Sequence, residues 1–162
     1  MSALIFLFKA IGIAIADILI KSYIESNYIQ GEKTDIFDGK VQIRKVYNKG
    51  MAFNLLDHKP ELVKIVSCCL TTIMSVYYLF VISRKGDFLT KAGLTLFIGG
   101  AWSNTFDRWY RGYVVDYIGF NSKWEGLNRL TFNLADFSLL LGADLTMLGE
   151  IVRTIKSTKE AD

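Results

Sequence analysis

Residues 65–82 read IVSCCLTTIMSVYYLFVI and contain no charged side chain. Folded as a helix, a stretch of this length crosses the hydrocarbon core of a bilayer, which is about 30 Å thick. Three further stretches, 3–20, 89–106 and 134–152, are similarly apolar. The sequence therefore predicts four transmembrane helices. The stretch 89–106 also contains Gly93, Gly99 and Gly100, small residues that let neighbouring helices approach closely in lipid.

The composition agrees with a small polytopic membrane protein. The 162 residues are 51% hydrophobic and 22% charged, with a net charge of +3, one histidine and two cysteines. Soluble domains contain about 45–50% apolar residues even when glycine is counted. This apolar excess argues against a disordered chain, and the two cysteines argue against a disulfide scaffold. The small net charge and the lack of a basic run argue against a nucleic-acid partner. We expect a single integral membrane domain over residues 1–162.

The distribution of cations predicts the orientation of the chain. A short connector and the C-terminal tail are rich in lysine and arginine, whereas the long polar segments 25–61 and 107–132 contain fewer cations for their length. The cations in question are Arg84, Lys85, Lys91, Arg153, Lys156 and Lys159. By the positive-inside rule, both termini are cytoplasmic and both long segments lie outside.

The two outer segments contain different signals. Residues 40–47 alternate partly between apolar and polar side chains, which favours a strand, and Asn48-Lys49-Gly50 follows as a turn. Residues 113–118 are predicted to form a hydrophobic loop around Asp116 that should not lie free in water. The predicted fold class is therefore an all-α polytopic membrane protein, with four transmembrane helices and a small β-rich extracytoplasmic element.

Ionisable residues in membrane spans cost about 2.5–3.5 kcal/mol each on insertion scales, so each one requires an explanation. Asp17 and Lys21 are spaced i, i+4 and can form an ion pair that orients an outer loop. Asp136 comes three residues after a possible N-cap, Asn133, where an acid stabilises a helix start. Asp116 taken alone reads as a solvated loop carboxylate. Asp144 lies about 12 Å deeper than Asp136 and about 80° around the helix, so the two acids should not share a site.

Other catalytic chemistries find less support in the sequence. His58 is the only histidine and lies in a polar segment, which argues against a serine–histidine protease and against a zinc site. Cys68 and Cys69 are adjacent, cannot form an ordinary disulfide, and have no basic neighbour to generate a thiolate. We interpret them as packing residues.

Four motifs in order resemble the type II signal peptidases, the lipoprotein signal peptidase family of bacterial aspartic membrane proteases. They are Asp17-x-x-x-Lys21; Tyr47-Asn48-Lys49-Gly50-Met51-Ala52-Phe53; Gly99-Gly100-Ala101-x-x-Asn104-x-x-Asp107-Arg108 running on to Gly112-Tyr113-Val114-Val115-Asp116-Tyr117; and Phe132-Asn133-Leu134-Ala135-Asp136. The resemblance covers nearly the whole chain. Trp102, Ser103 and Met51 differ from the residues usual at their positions.

The resemblance implies that Asp116 and Asp136 are the catalytic aspartates, and that Asp17 and Lys21 match a pair in the first span. The positions matching polar or backbone-shaping residues around the site are Asn48, Gly50, Asn104, Arg108, Asn133 and Ala135. Two carboxylates that share a proton can activate water and protonate a scissile carbonyl. On purely physical grounds we further expect Asp136 to be the ionised base and Asp116 the protonated acid.

The implied activity is removal of signal peptides from diacylglyceryl-modified prolipoproteins, by a cut on the amino side of the modified cysteine. We expect a monomer in the bacterial inner membrane, with its active site at the outer face, membrane lipids around it, and no metal or organic cofactor. Two alternatives remain. One is a proton-coupled transporter that uses Asp17, Lys21, Asp136 and Asp144 as a relay. The other is a non-catalytic assembly subunit.

Overall fold

Long helices and one small sheet form most of the computed structural model, which describes residues 2–51 and 55–161. In chain order the elements are α1 (Ala3–Asn27), β1 (Lys33–Ile36), β2 (Val41–Asn48), α2 (Pro60–Ser83), α3 (Phe88–Tyr110), β3 (Val114–Phe120), α4 (Glu125–Arg129), β4 (Thr131–Phe132) and α5 (Leu134–Ala161). Each apolar stretch of the sequence lies within one long helix, and these helices extend beyond the predicted spans. The short helix α4 was not predicted.

Two of these helices, α1 and α2, are long and apolar enough to cross a membrane by the test of length and composition, applied to the described residues. The helices α3 and α5 are of similar length, 23 and 28 residues, but contain more polar and charged residues. For α3 this composition reflects its place in the fold, because α3 is the central helix and contacts α1, α2 and α5. The four long helices are thus present, whereas length and composition identify only two of them as membrane spans.

Glycines bring α3 and α5 into backbone contact. A Cβ added to Gly93 would lie 2.5 Å from the backbone nitrogen of Thr146, and one added to Gly142 would lie 2.5 Å from that of Phe97. Neither position has room for a side chain. The close approach expected for the glycines of the third stretch is therefore confirmed at Gly93, and also at Gly99 and Gly100, where an added Cβ would lie 2.8 Å from the carbonyl oxygen of Ala10 and 2.5 Å from that of Ala135. Helix α5 contributes a glycine of its own to the contact with α3.

The sheet is antiparallel with the order β1-β2-β3-β4. The strand predicted over residues 40–47 is β2, shifted by one residue. The prediction of a hydrophobic loop at 113–118 is wrong, because most of these residues belong to β3. Residues Val114–Tyr117 are all buried, and β3 pairs with β2 on one side and β4 on the other. A strand covered on both faces shows a continuous apolar run rather than alternation. This run therefore lacked the periodic signal of an exposed strand.

The sheet packs against the C-terminal end of α1. Ile24 of α1 forms a buried cluster with Val115 and Tyr117 of β3. A second buried cluster, which includes Phe6, Tyr78 and Leu94, joins α1, α2 and α3 further along the helices. The polar residues described below lie where α1, α3, α5 and the sheet meet.

Candidate active site

Asp116 is buried on β3, one of the two inner strands of the sheet, with only 3% of its surface exposed. Its Oδ1 accepts a hydrogen bond from Asn133 Nδ2 at 2.6 Å, and its Oδ2 accepts one from Asn48 Nδ2 at 3.1 Å. Burial, together with the charge of Asp136, raises the pKa of Asp116 from its ordinary value to about 7, against the opposing effect of the two amides. The interpretation of Asp116 as a solvated loop carboxylate is therefore wrong, because the pairing of β3 removes the residue from water.

Asp136 lies in the first turn of α5 and forms a reciprocal cap with Asn133. The Asn133 backbone N–H donates to Asp136 Oδ2 at 3.0 Å, while the Asp136 N–H donates to Asn133 Oδ1 at 2.9 Å. This is the arrangement of a capping box, in which two free donors of a helix start are satisfied together. The cap leaves Asp136 Oδ1 available, and that atom accepts a hydrogen bond from Asn104 Nδ2 at 2.9 Å.

Two asparagines join the two carboxylates. Asn133 donates through its side chain to Asp116 and through its backbone to Asp136. Asn104 donates to Asp136, and its Oδ1 accepts from Asn133 Nδ2 at 3.3 Å. Within the described part of the chain, neither Asp116 nor Asp136 forms an ion pair. Asp116 and Asp136, called the dyad below, are thus held by neutral amides.

The other matched positions support this arrangement from the backbone. The Gly50 N–H donates to Asn48 Oδ1 at 2.9 Å, which orients the Asn48 amide toward Asp116. Arg108 donates to the carbonyls of Gly50 at 2.9 Å and Asn104 at 3.2 Å, and so links the β2 turn to α3. Ala52 and Phe53, the last two residues of the Tyr47–Phe53 motif, lie outside the described residues.

A second group of buried ions lies beside the dyad. Lys21 Nζ is 2.8 Å from Asp17 Oδ2 and 3.4 Å from Asp107 Oδ2, and all three side chains have no exposed surface. Arg111 also pairs with Asp107. These four residues are called the ion cluster below. Sequence reasoning assigned Asp17 and Lys21 to each other but gave Asp107 and Arg111 no role.

Further contacts connect the ion cluster with the strand and helix of the dyad. Asp107 Oδ2 accepts the backbone N–H of Val115 at 3.1 Å, one residue before Asp116. The Tyr117 hydroxyl donates to Asp17 at 3.0 Å and accepts the N–H of Leu134 at 3.0 Å. Sequence reasoning missed Tyr117 in this role, because the two contacts span distant parts of the chain. The only available signal was its place beside Asp116 in the motif.

The dyad opens into a cavity of about 530 Å³ between α2, α3, α5 and the sheet. Besides the dyad, its walls are mainly apolar and include Leu70, Met74, Phe97, Ala101, Phe132, Leu139 and Leu140. Of the three unusual motif residues, only Met51 lines it. Trp102 instead donates to Ser75 Oγ on α2 at 3.0 Å, and Ser103 donates to Asp17 at 2.5 Å.

Asp144 lies apart from these networks. Its side chain is exposed, and among the described residues it has neither a hydrogen bond nor an ion pair. The described residues also contain no group of three or more histidine, cysteine or acidic side chains placed to hold a metal ion. Among the described residues, no hydrogen bond or ion pair links Asp144 to Asp136.

The fold and the site together define a helical protein that holds a buried, amide-bound pair of carboxylates at the end of apolar helices. A family model described as Signal peptidase (SPase) II matches residues 9–152. The chain belongs to the signal peptidase II family, a family of proteases, and the resemblance seen in the motifs is confirmed.

Individual relatives agree with this assignment. The lipoprotein signal peptidase of Brucella ovis is 34% identical over 149 residues, which cover 90% of this chain and 89% of the relative. That of Fusobacterium nucleatum is 29% identical over 149 residues, with 92% and 87% coverage. A solved structure described as a bacterial membrane enzyme superposes with a TM-score of 0.78 at 23% identity, covering 97% of this chain and 91% of its own. The last comparison shows the shared fold. The family membership does not support a proton-coupled transporter.

Proposed function

We propose that this protein is an aspartic endopeptidase that removes signal peptides from diacylglyceryl-modified prolipoproteins, cutting on the amino side of the modified cysteine. The observation that carries the proposal is the dyad itself. Asp116 and Asp136 are bridged by Asn133 and line a cavity with apolar walls. Family membership supports the substrate class, since the relatives are named lipoprotein signal peptidases.

The geometry supports a division of labour between the carboxylates. Asp136 accepts a backbone N–H of its helix start and the Asn104 amide, and both hydrogen bonds favour the ionised form of a carboxylate. The pKa of Asp116 is raised to about 7 by burial and by the charge of Asp136, which favours its protonated form near neutral pH. Asp136 is then the base and Asp116 the acid.

The proposed reaction needs no covalent intermediate. Asp136 takes a proton from water, the resulting hydroxide attacks the scissile carbonyl carbon, and Asp116 gives its proton to the carbonyl oxygen. The tetrahedral intermediate collapses when the proton on Asp136 passes to the leaving nitrogen and the hydroxyl proton returns to Asp116. The products are a carboxylic acid and an amine, and the dyad is restored. These steps require neither a metal nor an organic cofactor.

The cavity suits a substrate that is part peptide and part lipid. Its polar end contains the dyad, Asn48 and Arg108, whereas its apolar walls continue along α2, α3 and α5. A scissile peptide at the dyad would place an adjacent diacylglyceryl group against those walls. Apolar walls of this kind bind acyl chains through contacts with apolar side chains and require no polar partner.

We propose that all four long helices span the bacterial inner membrane as a single monomeric domain. Large apolar side chains are exposed on α1, α2 and α5, where lipid would cover them; examples are Phe8, Leu19, Ile73, Val76, Leu141 and Met147. The cations of the connector after α2 and of the tail support a cytoplasmic location of both termini by the positive-inside rule. The sheet and the dyad then face the outer side.

The test is a cleavage assay with detergent-purified protein and a diacylglyceryl-modified prolipoprotein. We expect release of the intact signal peptide by the wild-type protein, and a new amino terminus at the modified cysteine. The same prolipoprotein without the lipid should remain uncut. Wild-type protein that is folded but leaves the modified substrate intact would overturn the proposed function, and so would equal cleavage by Asp116→Asn.

A further inference from the structure

The amino group of Lys21 contacts the site through Asn104. Lys21 Nζ donates to Asn104 Oδ1 at 2.7 Å, and the same amide donates through Nδ2 to Asp136 Oδ1 at 2.9 Å. Lys21 therefore touches neither member of the dyad. It contacts the amide that binds one of them.

The chemistry of these three groups fixes the orientation of the amide. An ammonium group has three donors and no acceptor, so it can face only the oxygen of an asparagine amide. A carboxylate, in contrast, only accepts, so it can face only the NH2 group. With Lys21 on one side and Asp136 on the other, a turn of the Asn104 amide by 180° would put donors against donors and acceptors against acceptors.

The ammonium itself is held in place from several sides. Asp17 and Asp107 lie 2.8 Å and 3.4 Å from Nζ, and Lys21 donates to Ser103 Oγ at 3.2 Å. The whole group has no exposed surface. A buried ammonium with fixed carboxylates has one position, so its contact with Asn104 is equally fixed.

We propose that Lys21 is a positioning residue for proteolysis, whose ammonium orients the Asn104 amide so that its NH2 group always faces the base Asp136. This inference rests on the proposed function. It gives the ion pair in α1 a part in the reaction, beyond the structural one predicted from its spacing. Asn133 Nδ2 also donates to Asn104 Oδ1, but at the longer distance of 3.3 Å against 2.7 Å for the ammonium. Without the ammonium, only this longer contact opposes a turn of the amide, which can then present its oxygen to Asp136, remove a donor from the base and place a lone pair against its charge.

Two neutral double variants separate this role from a merely structural one. Asp17→Leu with Lys21→Met removes both charges and the donor, whereas Asp17→Asn with Lys21→Gln removes both charges but keeps an N–H donor at position 21. We expect kcat of the first variant to fall about 10- to 100-fold, the loss that misplacement by about 1 Å can cause. The second variant should stay within about threefold of wild type. KM should change little in either case, because Lys21 does not line the cavity.

A further comparison tests whether Lys21 acts through Asn104. Adding Asn104→Ala to the Leu/Met double variant should cause no additional loss beyond that of Asn104→Ala alone, since both changes remove the same oriented donor. Equal kcat values for the two neutral double variants, or fully additive losses in the triple variant, would overturn the inference. Replacing Glu61 and Lys64, an ion pair in the first turns of α2 that does not line the cavity, by Leu and Met controls for the loss of an ion pair elsewhere.

A spectroscopic measurement makes the result independent of proteolysis. In protein labelled with ¹⁵N-asparagine, the side-chain signal of Asn104 is the one lost in Asn104→Ala. We expect this signal to shift strongly in the Leu/Met variant and weakly in the Asn/Gln variant. Failure of the wild-type protein to cleave would refute the proposed function, whereas an Asn104 signal unchanged in the Leu/Met variant would refute the orienting role. If the Leu/Met variant does not fold, Lys21→Gln and Lys21→Met are compared by the same measurement.

Discussion

Two pairs of aspartates are buried side by side in the protein, and they differ in the partners that bind their carboxylates. Asp17 and Asp107 are paired with Lys21 and Arg111, and both aspartates are completely buried. Asp116 and Asp136 accept hydrogen bonds from amides, form no ion pair among the described residues, and line a cavity. Burial is common to both pairs. What differs is whether the negative charge is neutralised inside the protein.

This difference indicates what each pair can do. A buried carboxylate with a cationic partner is held in place by its ion pair, whereas Asp116, which has no such partner among the described residues and a pKa raised to about 7 by burial and by the charge of Asp136, can exchange a proton near neutral pH. The ion cluster therefore fixes geometry, and the dyad is suited to proton transfer. Contacts such as Tyr117 to Asp17 and Asp107 to Val115 connect the two pairs, so the ion cluster holds in place the strand that carries Asp116.

The sharpest test of this comparison is removal of charge from the dyad. We expect Asp116→Asn and Asp136→Asn each to lower the cleavage rate by at least about 10²- to 10⁴-fold, the range lost with a general acid or base. Both variants should remain folded, because amides replace carboxylates of the same shape. Cleavage of the modified prolipoprotein is measured, with the exposed Asp57→Asn as the matched control. Normal turnover by a folded dyad variant would remove the distinction between the pairs.

In the ion cluster, the corresponding change should damage stability. Asp17→Leu leaves Lys21 with an incomplete set of partners, and we expect it to lower the free energy of unfolding by about 3 kcal/mol. Adding Lys21→Met should restore most of that loss. Thermal unfolding of the two single variants and the double variant in detergent completes a double-mutant cycle. Strictly additive effects would mean that the two residues do not interact as the 2.8 Å contact indicates.

In the dyad, ionisation of Asp116 should lower the stability of the folded protein, whereas in the ion cluster it is the loss of a charge that should lower it. The folded protein holds the Asp116 proton up to about pH 7, whereas an ordinary aspartate loses it near pH 3.8. Folded-state stability should therefore fall as the pH rises from about 4 to about 7. Asp116→Asn lacks this loss and should be more stable than wild type at pH 8 by up to about 4 kcal/mol, with the difference disappearing below about pH 4. A difference that does not vary with pH would contradict the raised pKa of Asp116.

The smallest effect is expected at Asp144. Its exposed side chain belongs to neither pair, so Asp144→Asn should change the cleavage rate by less than about twofold. A proton relay through α5 predicts a large effect of Asp144→Asn and a tolerated Asp116→Asn. The same assay therefore compares both variants on one substrate.

Local patterns in the sequence predicted much of the site. The spacing of Asp17 and Lys21 indicated an ion pair, and Asn133 followed by Asp136 indicated a capped helix start. These features depend on residues within one helical turn. The contacts of Asp107 with Lys21 and Val115, and those of the Tyr117 hydroxyl, could not be predicted in this way, because they join α1, α3, β3 and α5 and depend on the tertiary fold. The pair Asp107 and Arg111, in contrast, has the same i, i+4 spacing as Asp17 and Lys21 and was open to the same reasoning.

The same distinction between local and tertiary features explains which parts of the fold could be predicted. Apolar stretches predicted the positions of the four long helices, but their ends extend into polar sequence where the hydropathy signal stops. Strand β3 was missed because it is buried on both faces, and its partner β2 was found because it alternates partly. Asp116 is buried because β3 pairs with β2 and β4. This pairing is a tertiary feature, so the residues next to Asp116 in the sequence could not reveal it.

The backbone contact between α3 and α5 sets the spacing of the site. A methyl group on Gly100 would lie 2.5 Å from the carbonyl oxygen of Ala135, where ordinary contacts begin at 3.4 Å. Gly100 lies one helical turn before Asn104, and Ala135 directly precedes Asp136. Protein interiors yield little to compression. The distance between Asn104 and Asp136 is thus set by direct contact between the main chains of α3 and α5. We expect this distance to change little when the lateral pressure of the surrounding bilayer changes.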